Sequence, residues 1–97
     1  MAYDPGAIDA TLAAAVGNDP SLIAELRIAF HESAERALLS LKAAGCAREW
    51  QEAAFRLRGL AASFGAVRLM ALAATIADGE VGDTKVIVRL ERAIARL

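Results

Sequence analysis

Between Trp50 and Phe64 the chain carries Trp50, Ala53, Ala54, Leu57, Leu60, Ala61 and Phe64, apolar residues at spacings of three and one. At roughly 100° per residue all seven fall on one side of a single helix. A strand cannot present that pattern, because its side chains alternate between two faces. The segment is therefore committed to helix, and the remaining chain must cover its stripe. Phe55 is the exception. It lies roughly 160° from the stripe's centre, on the outer face with Arg48, Glu52, Gly59 and Ala62, and with Arg56 and Arg58 on its flanks.

Gly59 adds a second oddity, since glycine inside a helix costs roughly 0.5 to 1 kcal/mol relative to alanine. The chain's other six glycines (Gly6, Gly17, Gly45, Gly65, Gly79, Gly82) read as helix starts, helix ends or loops. Gly59 alone sits mid-helix, one turn from Phe55. A bare backbone at a surface lets another molecule come close, so Phe55, Gly59 and Ala62 read as an apolar docking platform ringed by Arg48, Arg56 and Arg58, with Glu52 on the same face.

The rest of the chain supplies helices to pack against this one. Asp4-Pro5 and Asp19-Pro20 are helix starts: aspartate caps free N–H groups, and proline tolerates the first helical position. The first helix is short, with Ile8, Leu12 and Ala15 or Val16 inward, and ends at Gly17-Asn18. A second runs from Pro20 to about Ala44 with Ile23, Leu26, Phe30, Ala34, Ala37 and Leu41 on one stripe. Ile28 and Leu39 lie outside that stripe, against the first helix or in solvent. The third carries the opening segment to Phe64-Gly65. The fourth, about Ala66 to Asp78, buries Leu69, Leu72, Ala73 and Ile76. After a loop over Gly79–Gly82, Asp83 caps a fifth helix in which Val86, Leu90, Ala93 or Ile94, and Leu97 face inward. No segment alternates as a strand does, and connections of two to five residues force successive helices antiparallel. The expectation is an all-α, up-and-down antiparallel four-helix bundle with a short N-terminal capping helix, forming one domain over residues 1–97.

These residues resemble the histidine-containing phosphotransfer (HPt) domain of two-component signalling, whose motif reads approximately A-H-x-L-K-G-x-x-x-x-x-G-A. Ala54, Leu57, Arg58, Gly59, Gly65 and Ala66 match it in register, with arginine for the usual lysine. Phe30 and the polar segment after it resemble the family's preceding helix, and Leu69, Leu72 and Ile76 the following one. The resemblance spans about Asp19 to Leu97 and implies the same bundle. Phe55 stands at the position of the phosphoacceptor histidine. Cys46 replaces an aspartate that often caps the third helix, and Ala77 a frequent glutamate. In the family this face meets a receiver domain near its acidic phosphorylation pocket, which Arg56 and Arg58 would complement.

Phosphotransfer of this kind uses an imidazole nitrogen as nucleophile. A phenyl ring has no lone pair to offer, and it mimics neither the charge nor the oxygens of phosphohistidine. The resemblance therefore implies a pseudo-phosphotransfer domain that binds a response-regulator receiver domain or a histidine kinase without relaying phosphate. The alternative is a structural module that self-associates through the Phe55 face as a homodimer. The single histidine, His31, lies roughly 100° off the core stripe of the second helix, and reads as a boundary side chain rather than a displaced phosphoacceptor.

Other chemistries find little support. A formal net charge of -1, from 11 basic and 12 acidic residues, gives no reason to expect nucleic acid or recruitment to an anionic membrane. Met-Ala-Tyr-Asp-Pro is not a secretory signal, and Ala61 to Ala77 is interrupted by Ser63 and Arg68 and falls short of a membrane span. One cysteine allows no internal disulfide and fits a cytoplasmic setting. Glu32/Glu35 and Glu49/Glu52 read as solvated faces with Arg36, Arg48 and Arg56. No histidine follows a glutamate at the spacing of a di-metal bundle, and no serine or cysteine nucleophile has a base placed beside it in sequence. No catalytic residue, metal or cofactor is expected, and the chain reads as a non-enzyme.

Overall fold

The computed structural model describes the backbone from Pro5 to Leu97 and side chains from Ile8 onward; the Asp4 cap expected above lies outside the described residues. Five helices account for most of this span and no strand occurs in it: α1 (Pro5–Val16), α2 (Pro20–Ala43), α3 (Ala47–Ser63), α4 (Val67–Ala77) and α5 (Thr84–Ala95). The fold is all-α and bundle-like. Helices α2, α3, α4 and α5 touch in a closed cycle, each packing on the next and α5 returning to α2, while α1 rests on α2. The most extensive packing is between α3 and α4.

The helix ends follow local chemistry. Asp19 caps α2 by accepting from the Ser21 and Leu22 amides at 3.0 and 3.3 Å, and Asp83 caps α5 by accepting from the Lys85 amide at 3.0 Å. Cys46 makes no side-chain cap on α3. Glu49, three residues on, reaches back past the cap residue to accept from the Gly45 amide at 2.8 Å, tying the incoming chain to the first turn of α3. α3 ends in a Schellman motif. The Ala66 amide donates to the Ala61 carbonyl at 2.8 Å and the Gly65 amide to the Ala62 carbonyl at 3.3 Å, with Gly65 at φ +72°. Only glycine takes that left-handed conformation cheaply, so Gly65 sets the turn that folds α4 back onto α3.

The core holds the expected stripe of α3. Trp50, Ala53, Ala54, Leu57 and Ala61 are buried, with Leu60 and Phe64 half-buried at the edge. Trp50 is fully enclosed, and its indole N–H donates to the Ile76 carbonyl at 2.8 Å, joining α3 to the last turn of α4. Phe64 stacks on Phe30 with ring centroids 4.6 Å apart, an aromatic tie from the end of α3 to α2. On α4, Leu69, Ala73, Ile76 and Ala77 are buried and Leu72 is half-buried; on α5, Leu90 and Ile94 are buried.

The α2 stripe is wider than its spacing suggested. Phe30, Ala34, Ala37 and Leu41 are buried as expected, Ile23 and Leu26 only partly, and Leu38, roughly 80° from Phe30, joins the core at 3% exposure. A helix in contact with α1, α3 and α5 has more than one buried side. Ile28 and Leu39 do not rest on α1: they are 59% and 61% exposed. Ile8 and Leu12 anchor α1, whereas Ala15 is exposed and Val16 half-buried. Of the expected solvated pairs, Arg36 turns to the Ser33 hydroxyl at 3.0 Å rather than to a glutamate.

Candidate functional site

All seven residues singled out on α3 (Arg48, Glu52, Phe55, Arg56, Arg58, Gly59 and Ala62) are exposed. Their shared face follows from the buried stripe, since a helix that sinks Trp50, Ala54, Leu57 and Ala61 into the core must turn Phe55 away from it. Phe55 stays 52% exposed, comparable to Ile28 at 59% and to Leu39 and Val67 at 61%, and it differs from them in lying beside the glycine and the arginines. A β-carbon added at Gly59 would meet no atom within 4 Å, so no contact within this chain requires glycine there.

The face is cationic. Three arginines against one glutamate give a local formal charge of +2 on a chain whose total is -1. Among the described residues none of Arg48, Arg56 or Arg58 forms an ion pair; the pairs present are Arg27–Asp9, His31–Glu35 and Lys42–Glu91. The arginines are not equivalent. Arg56 borders two shallow grooves between α2 and α3, of about 440 and 290 Å³, the first with Ser33, Arg36 and Ser40 and the second with Glu49 and Glu52. Arg58 falls on the opposite flank of Phe55.

Two neighbours escaped the sequence reading. The Ser63 hydroxyl donates to the Gly59 carbonyl at 3.0 Å, turning back onto its own helix one turn earlier. Gln51 is exposed one turn before Phe55 and extends the platform towards Arg48.

His31 does not join this face. It is half-buried on α2, with Nε2 3.7 Å from Glu35 Oε1, and lines a shallow groove with Arg27, Ile28 and Leu97. Ser33, Arg36 and Ser40 mark the α3 flank of α2, and His31 lies on the flank towards Leu97. Among the described residues no three His, Cys, Asp or Glu side chains gather as a metal site requires, and no helix is long and apolar enough to cross a membrane. The chain matches no protein-family model, no curated protein and no solved structure.

Proposed function

We propose that this chain is a pseudo-phosphotransfer domain: an adaptor that docks a response-regulator receiver domain or a histidine kinase through the Phe55 face of α3 and relays no phosphate. In this reading α2 to α5 form the up-and-down antiparallel bundle of an HPt-like domain, α1 caps it, and the setting is cytoplasmic. The closed cycle of helix contacts and the short connections support that architecture.

The observation that carries the functional reading is the exposure of Phe55 beside Gly59. The motif position that would bear the phosphoacceptor holds a half-exposed phenyl ring, one turn from a glycine whose β-carbon position is open. Among the described residues the arginines that border it form no ion pair, which leaves them free to complement an acidic receiver pocket. A phenyl ring supplies hydrophobic contact where an imidazole would supply a nucleophile. Docking therefore survives while transfer is lost, and the domain scaffolds, sequesters or inhibits its partner.

A gain-of-function substitution tests this. Phe55→His restores a nucleophile on an exposed face with little risk to the fold. Incubated with a phosphorylated receiver domain that binds the wild type, the variant is expected to acquire acid-labile phosphate and the wild type none. Stable phosphate on the wild type would contradict the reading. A second reading, homodimerisation through the same exposed ring, predicts instead that Phe55→Asp converts a dimer to a monomer.

A further inference from the structure

Helix α5 carries a cationic row on a face separate from the Phe55 platform. Lys85, Arg89, Arg92 and Arg96 recur at spacings of four, three and four, within an arc of roughly 60°. Arg89, Arg92 and Arg96 line a groove of about 470 Å³ between α4 and α5, joined by Arg68 from α4 and floored by Leu72 and Ala93. Among the described residues none of these cations has a carboxylate partner. Arg92 and Arg96 suit the negative end of the α5 macrodipole. Arg68 has no such benefit: it is the second residue of α4, where the positive end disfavours a cation.

The complement of this groove exists on the same chain. Glu25, Ile28, Glu32, Glu35 and Leu39 recur at spacings of three and four along the α2 face opposite Phe30, and all are exposed. Glu25 and Glu32 have no ion pair among the described residues, and Glu35 faces only His31. Glu35 lies ten positions after Glu25, so the acidic row runs about 15 Å along α2; the groove's Arg89 and Arg96 are seven positions apart, about 10 Å, and Lys85 beyond the groove extends the basic row to about 16 Å. One row is acidic and apolar; the other is basic along an apolar floor.

From this match we infer that the α4–α5 groove receives the outer face of α2 from a second copy of this chain. Ile28 and Leu39 cover the floor while the glutamates meet the arginines, which is helix-in-groove recognition with charge complementarity. A nucleic acid would satisfy the arginines and leave the apolar floor and the α2 leucine and isoleucine unburied. Groove and ridge are different surfaces, so two copies either engage reciprocally as a closed two-fold dimer or join head to tail as a ring or an open chain. The Phe55 face stays free in every copy, so this assembly stands or falls independently of receiver docking.

Sedimentation of the full chain tests the inference. Mass is expected to rise with protein concentration and to fall back as salt is raised. Arg89→Gln with Arg92→Gln removes the groove's charge, and Glu32→Gln with Glu35→Gln removes the ridge's; both pairs are exposed and replaced by a good helix former. Each double variant alone is expected to be monomeric, its self-association weakened at least about tenfold. Their equimolar mixture is expected to form a one-to-one dimer and nothing larger, since one intact groove and one intact ridge remain. A wild type that stays monomeric to about 1 mM, association that persists in both variants, or association abolished by Phe55→Asp instead would overturn it.

Discussion

A β-carbon built on Gly59 meets no atom within 4 Å, while the glycine itself costs the helix about 0.5 to 1 kcal/mol. Gly59→Ala is therefore expected to stabilise the fold by about that amount in urea or thermal unfolding, and at the same time to weaken receiver binding. A variant no more stable than the wild type would mean that the glycine serves the fold after all. Phe55 follows the same logic, since its outward direction was legible from the periodicity of Trp50, Ala54, Leu57 and Ala61 alone. The partner of a neighbouring main-chain group was harder to read. Ser63 sits four residues from Gly59, yet only the three-dimensional arrangement places its hydroxyl on the Gly59 carbonyl, because a serine on a helix surface is equally free to turn to water.

At the scale of helices, boundaries set by a single residue's chemistry were readable. Asp19-Pro20 and Asp83 each cap as their residue types require. The start of α3 was not, because no side chain caps it: Cys46 contributes nothing and Glu49 reaches past it to the Gly45 amide. The end of α3 depends on Gly65 at φ +72°. Gly65→Ala would force a side chain into the left-handed region and is expected to cost about 1 to 2 kcal/mol, seen as a lower urea midpoint with an unchanged slope. An unaffected midpoint would show that the α3–α4 turn relaxes into another conformation. Leu38 marks the limit of a one-stripe reading: α2 packs against three helices, and periodicity reports only the strongest side.

Across the whole molecule the least legible feature is the tie made by Arg27. Its guanidinium donates to Asp9 Oδ1 at 2.8 Å and to the Leu97 main-chain oxygen at 3.0 Å, joining α1 and the end of the chain to α2 across separations of 18 and 70 residues. No local pattern announces such a contact. The Asp9 carboxylate is more than half exposed, so the pair contributes no more than about 1 kcal/mol. Arg27→Met is therefore expected to leave global unfolding nearly unchanged and to speed hydrogen exchange in α1 while α3 and α4 stay protected. Equal protection of α1 in both proteins would remove Arg27 from that role. The central claim is that a face with no chemistry of its own is built to be covered by a signalling partner. The most direct measurement is a binding titration of the full chain against receiver domains from the same organism, comparing wild type with Phe55→Asp. Saturable binding to a receiver, weakened at least about tenfold by the substitution, is the predicted result; binding to no receiver, or binding that Phe55→Asp leaves intact, would contradict the account.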